Sequence, residues 1–101
     1  MKYKYHWTPE FKESFKKLTR KNKALEERLL KKINQILDNP FIGDPKRHQL
    51  KHSRGSHVDP YVIVYVLEVD RITFLYVDHH NFVYAKAAEI LRRWERKLED
   101  A

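Results

Sequence analysis

The sequence predicts one α+β domain with the element order β-α-α-β-β-β-α, an N-terminal helical hairpin packed on a mostly antiparallel sheet and a closing helix. Two observations carry this expectation. The chain has 101 residues, 42% hydrophobic and 13% aromatic, which suffices for one packed core and leaves no room for a second domain. Its apolar residues change period along the chain, from two to helical, back to two and again to helical. Cysteine is absent, so disulfide scaffolds, zinc ribbons and thiol catalysis are excluded.

Residues Lys2 to Trp7 alternate, with Tyr3, Tyr5 and Trp7 on one side and Lys2, Lys4 and His6 on the other, as a half-buried strand does. Thr8-Pro9-Glu10 reads as a helix start: Thr caps free amides, Pro at the first helical position needs no donor, and Glu favours the positive helix end. Phe11, Phe15 and Leu18 then form one apolar stripe. The pattern breaks over Arg20 to Lys23 and resumes with Leu25, Leu29, Ile33 and Ile36/Leu37, ending at Asn39-Pro40.

From Phe41 to His57 the helical period disappears, and Lys51 to Val58 is expected to lead into a strand beside the next one. Tyr61 to Leu67 and Arg71 to Asp78 are nearly all β-branched or aromatic, two core strands joined by a turn at Val69-Asp70. From Ala85 to Ala101, Ala87, Ile90/Leu91, Trp94 and Leu98 recur at helical spacing between basic residues. There is no internal repeat or linker, so residues 1–101 form a single domain.

Charge is unevenly placed. Met1 to Val58 holds 15 basic and 6 acidic residues, a surplus of nine, whereas Asp59 to Ala101 holds 6 basic and 8 acidic. No acid interrupts Lys46 to His57, a segment containing Lys46, Arg47, Lys51 and Arg54. Such a surplus suits a polyanion, nucleic acid first, with these four cations set against phosphate. The N-terminus has no apolar signal-peptide core and no apolar run reaches the ~18 residues of a membrane span, so a soluble cytoplasmic protein with no membrane partner is expected.

Five of the six histidines fall between positions 48 and 80: His48, His52 and His57, then His79-His80. Three readings compete: inert polar histidines, a metal site, or acid–base chemistry on a bound anion. His6, His52 and His79 have no matching partner and read as inert. His48 and His52 are four apart, which aligns ligands only on a helix, and this segment has no helical period. Acid–base catalysis on RNA suits the composition better: ribose 2′-OH attack on the adjacent phosphate needs a base, an acid and fixed cations, and imidazole serves either proton role near neutrality. It requires no metal and no organic cofactor.

The segments Asn39-Pro40, Gly43-Asp44-Pro45, His48-Gln49-Leu50-Lys51, Arg54-Gly55-Ser56-His57-Val58-Asp59-Pro60, Tyr61-Val62-Ile63-Val64-Tyr65 and His80-Asn81-Phe82-Val83-Tyr84 resemble, in order and spacing, the RelE/ParE superfamily of toxins, and in particular the His-rich YafQ-like messenger-RNA interferases. The likeness covers Tyr3 to Tyr84. It implies a RelE-like fold and an endoribonuclease that enters the ribosomal A site, contacts ribosomal RNA and cleaves messenger, neutralised by a cognate antitoxin, here expected to be acidic. Carried over by position, the catalytic group is His48, His57, Asp59, His80 and Tyr84, the last resembling a ring that stacks on a base. Lys46, Arg47, Lys51, Arg54 and Tyr61 make the RNA-binding group. Two departures stand out. Pro60 is followed directly by Tyr61, where YafQ-like chains usually carry a second carboxylate, and Val62 occupies the place of the RelE-type arginine. The alternatives are a ParE-like toxin that inhibits DNA gyrase by binding, and a non-catalytic RNA- or ribosome-binding module.

Overall fold

Strand segments of period two pair here into one sheet, and helices cover both of its faces. The computed structural model describes residues 3–46 and 50–100, with 97–100 by backbone alone. The order is β1 (Lys4–Trp7), α1 (Pro9–Thr19), α2 (Lys23–Asp38), a 3-10 turn at Pro40–Ile42, β2 (Asp44–Pro45), β3 (Ser53–Val58), β4 (Tyr61–Leu67), β5 (Arg71–His79) and α3 (Val83–Asp100). The five strands lie in the order β1-β5-β4-β3-β2, with β1 parallel to β5 and every other pair antiparallel.

Both helices of the hairpin start at the caps that the sequence supplies. Thr8 Oγ1 accepts from the Phe11 amide at 3.0 Å and donates to the Leu75 carbonyl at 2.8 Å, so one hydroxyl caps α1 and ties it to β5. Asn22 Oδ1 accepts from the Leu25 amide at 3.0 Å and starts α2. Phe11 of α1 and Leu25, Leu29, Ile33, Ile36 and Leu37 of α2 then close on Ile63, Tyr65, Ile72, Phe74 and Val77 of the sheet. On the opposite face Val83, Ala87, Ala88, Ile90 and Leu91 of α3 cover Val62, Val64, Val66 and Leu75.

The structure departs from expectation in four places. Asp44–Pro45 forms a short edge strand, pairing with Gly55 and Arg54, that two residues without periodicity could not announce. Proline, having no N–H to donate, is at home at that edge. Strand β3 begins at Ser53, because the chain turns at His52, whose φ of 77° is left-handed. Helix α3 begins at Val83, two residues before the expected Ala85, since Val83 and Tyr84 read as strand formers yet Val83 is wholly buried under the sheet. Finally, Tyr3 and Trp7 pack on the hairpin-side core as their alternation requires, but Tyr5 between them, on the edge strand β1, is 58% exposed. His6, on the other face, stacks on Trp94 of α3 with ring centroids 5.5 Å apart.

Candidate active site

Cross-strand register decides which side chains meet. In an antiparallel pair, directly opposite residues point to the same face. His57 lies opposite Val62, and Val62 opposite Asp78, so His57 and Asp78 share the face that α3 covers. Arg54 lies opposite Tyr65, which puts it on the hairpin face, one residue parity away from His57.

Lys46 leaves β2 and crosses to the α3 face over Gly55. A Cβ on Gly55 would stand 2.7 Å from Lys46 Cε and 3.3 Å from Val62 Cγ1, so the missing side chain is what lets the lysine lie flat across β3. Its Nζ then sits 5.0 Å from the centre of the Tyr84 ring, a cation–π contact in the first turn of α3. On β5, Tyr76 donates to Asp78 Oδ2 at 3.3 Å, and Asp78 Oδ1 accepts from the His79 amide at 2.7 Å. Burial and the Asp78 charge push the Tyr76 phenol above its ordinary range, which keeps it a donor.

The remaining histidine and carboxylate stand at the same end of the sheet. The His80 amide donates to the Pro60 carbonyl at 3.0 Å, joining the end of β5 to the β3–β4 turn. His57 Nδ1 lies 3.9 Å from Asp59 Oδ1, and both side chains are open to solvent. Asp59 is fixed through its backbone, whose carbonyl accepts from Arg28 of α2 at 2.8 Å. His57 and Asp59 also border a groove of about 370 Å³ lined by Arg28, Lys31 and Lys32. Around His79 the rings are close: His80 at 4.3 Å, Phe82 at 5.9 Å and Tyr61 at 6.3 Å between centroids.

Of the residues singled out in the sequence, then, His57, Asp59 and His80 lie at one end of the sheet, with Tyr84 in the first turn of the helix that starts there and Lys46 over its ring. Arg54 is placed elsewhere. Its guanidinium donates to the Gly43 carbonyl at 2.8 Å and lies over the Phe41 ring at 5.1 Å, so it is engaged on the hairpin face. Tyr61 also turns to that face and packs on its core. Lys51 is exposed in the turn before β3. His48 and Arg47 lie outside the described residues. His79, which reads as partnerless in the sequence, touches Tyr61, His80 and Phe82 and accepts from the Asn81 amide at its Nδ1, 3.1 Å away. Phe82 and Gly55 were not signalled by residue type. An aromatic beside the paired histidines and a glycine inside a strand were the available clues. Among the described residues no group of three or more metal-ligating side chains comes together, and no helix is long and apolar enough to cross a membrane.

Comparison with known proteins bears on this arrangement. A family model described as the ParE toxin of the type II toxin–antitoxin system parDE matches residues 5–84, from β1 to the first turn of α3. RelE4 of Methanocaldococcus jannaschii, named as a toxin candidate, is 29% identical over 87 residues, covering 83% of this chain and 93% of that protein. An uncharacterised protein of Methanosarcina mazei is 31% identical over 78 residues, covering 74% of this chain and 91% of its own length. Among solved structures, a chain of the toxin–antitoxin complex RelBE2 from Mycobacterium tuberculosis superposes with a TM-score of 0.68 at 18% identity, over 79% of this chain and 100% of that one. YafQ from E. coli gives a TM-score of 0.67 at 17% identity, over 78% and 94%. The two structures share the fold described above.

Proposed function

The chain belongs to the ParE toxin family of type II toxin–antitoxin systems, within the RelE/ParE superfamily, and from that premise we propose that it is a ribosome-dependent endoribonuclease acting on messenger RNA. The observation that carries this reading is the gathering of His57, Asp59 and His80 at the end of the sheet where α3 begins. Two imidazoles there supply a base for the ribose 2′-OH and an acid for the leaving 5′ oxygen. Asp59 Oδ1 stands 3.9 Å from His57 Nδ1 and adds a carboxylate to the same end of the sheet. Lys46 supplies a fixed cation near Tyr84 for the phosphorane charge. His48 and Arg47 retain the catalytic and RNA-binding roles that the resemblance gives them, and Lys51 that of a phosphate contact. The proposed partners are messenger and ribosomal RNA in the cytoplasm and an acidic antitoxin that covers the basic surface.

The test is single-turnover cleavage of a ribosome-bound reporter messenger, with binding measured alongside. His57→Ala and His80→Ala are each expected to slow cleavage about 100- to 10,000-fold with little change in affinity, and the double variant to lose far less than the product. Full cleavage by the folded double variant would sink the proposal. The ParE family match favours one second reading, a toxin that inhibits gyrase by binding. Intact messenger together with a supercoiling defect on induction would select it.

A further inference from the structure

We propose that His79 is a positioning residue for His80: its imidazole, locked at the end of β5, is the surface against which the His80 ring is set for proton transfer, and the chemistry so served rests on the endoribonuclease reading. His80 is exposed, and an exposed side chain exchanges rotamers within nanoseconds unless a neighbour confines it. Its amide donates to the Pro60 carbonyl at 3.0 Å, which fixes the main chain but not χ1 or χ2. Among the described residues, the ring that meets it is His79, with centroids 4.3 Å apart and planes 31° from parallel. At that separation the two rings are in van der Waals contact, so the place of His79 decides which rotamers His80 can take.

His79 can serve in this way because it is itself held. Its amide donates to Asp78 Oδ1 at 2.7 Å, its carbonyl accepts from the Phe82 amide at 2.9 Å, and its Nδ1 accepts from the Asn81 amide at 3.1 Å. The Tyr61 ring, directly opposite on β4 and packed on the hairpin-side core, stands nearly perpendicular to it at 6.3 Å, and the Phe82 ring lies at 5.9 Å. Contacts thus run from the core through Tyr61 and His79 to His80. A half-turn of the His79 ring would put Cδ2 in place of Nδ1, so the bond from Asn81 selects one orientation of the ring. Histidine combines two tasks here. Its Nδ1 closes the turn as an asparagine side chain does, by accepting from the amide two residues on, and the rest of the ring reaches His80. Asparagine would keep the first and lack the second; phenylalanine would do the reverse.

The experiment measures single-turnover cleavage of ribosome-bound messenger by His79→Asn and His79→Phe, each alone and combined with His80→Ala. Binding is measured alongside, and scalar couplings across His80 χ1 are read by NMR on the free protein. His79→Asn is expected to slow cleavage about 10- to 100-fold at unchanged affinity, the scale of loss when a reacting group is misplaced by about 1 Å, and to turn a single His80 rotamer into an average. His79→Phe is expected to recover most of the rate and the single rotamer. In the His80→Ala background His79→Asn should cost nothing further, because it acts through His80. The reverse order, with His79→Asn like wild type and His79→Phe slow, would reduce His79 to a turn-holding residue and overturn the proposal. So would a rate loss that persists undiminished in His80→Ala, which would make His79 a group acting on the RNA itself, or a loss of affinity in place of rate. If the wild type does not cleave, the nuclease reading falls and the couplings decide alone: a His80 rotamer single in wild type and averaged in His79→Asn upholds the positioning, and the same rotamer state in both proteins overturns it.

Discussion

The two faces of the sheet are built from the same strands and behave differently. Against the hairpin, side chains are enclosed, and the polar groups of the Tyr65 corner are satisfied, while Trp7 Nε1 is buried without a hydrogen-bond partner. Tyr65, with no exposed surface, donates to the Pro40 carbonyl at 2.7 Å and accepts from the Gly43 amide at 3.1 Å, while Arg54 closes on the Gly43 carbonyl. A Cβ on Gly43 would collide with that hydroxyl, so the corner is shaped around it. On the other face the cover begins only at Val83, and His57 and His80 at that end of the sheet are open to water. Strand β3 carries both outcomes: Arg54 donates to the Gly43 carbonyl, and the side chain of His57, three residues on and facing the other way, is open to solvent. Arg54 and His57 thus part by the period of the strand, whereas Ser53, on the same face as His57 but at the other end of β3, is buried and donates to the Leu50 carbonyl.

Substitutions can break this contrast, beginning with the largest effect. Phe74→Ala, on the enclosed face, should destabilise the protein by about 3–5 kcal/mol in urea unfolding, since a wholly buried ring leaves a cavity among Phe11, Trp7 and Tyr65. His57→Ala should leave the unfolding midpoint nearly unchanged while activity is lost. A cost for His57→Ala comparable to that for Phe74→Ala would show that the open end is structural too.

Next in size is Tyr65→Phe, which keeps the ring and removes two hydrogen bonds, leaving the Pro40 and Gly43 groups unpaired in a buried corner at about 1–3 kcal/mol. Burial raises the Tyr65 phenol above its ordinary 10.0, and the Gly43 hydrogen bond and Arg54 charge only partly oppose this. A phenol whose folded pKa exceeds its unfolded one contributes stability that is fully present below pH 10 and lost as pH climbs through the folded value. Wild type should accordingly lose stability in strong alkali, and Tyr65→Phe should lose less of what it has left. Parallel alkaline unfolding curves for the two proteins would remove Tyr65 from that role and leave Tyr76, also raised by burial, as the group responsible.

The covered parts of the molecule were the legible ones. Thr8, Asn22 and the stripes at Phe11 and at Leu25 to Leu37 announced the hairpin, because capping and period act locally. Tyr61 to Leu67 read as a doubly covered strand, and Val62 to Val66 are buried. The site was legible in residue type and only partly in position. A cluster of histidines pointed to His57 and His80, and the odd spacing of Arg54 and His57 sets them on opposite faces of any one strand, but which face each takes is decided only by the register of β3 with β4. Lys46 over Tyr84 depends on the absent side chain of Gly55, a relation between three separate segments. The two-residue strand β2 and the early start of α3 are likewise set by tertiary contacts rather than by local preference.

The smallest effect concerns how α3 holds to the face it covers. Its apolar residues Val83, Ala87, Ala88, Ile90 and Leu91 are buried, whereas farther along the contacts become polar. Arg93 pairs with Glu10 of α1, and Trp94 Nε1 donates to Glu68 Oε1 at 2.8 Å while its ring stacks on His6. An ion pair reached by solvent gains little, because both ions stay hydrated and the side chains lose freedom on pairing. Arg93→Gln should therefore cost under about 1 kcal/mol, and the difference from wild type should shrink as salt screens the pair. Measured by thermal unfolding at low and high salt, a penalty above about 2 kcal/mol that persists at high salt would mean that α3 is held by this clamp rather than by its apolar stripe. The contrast between the two faces would then extend to what fastens their covers: apolar closure over the hairpin side, and a polar fastening over the side that carries the site.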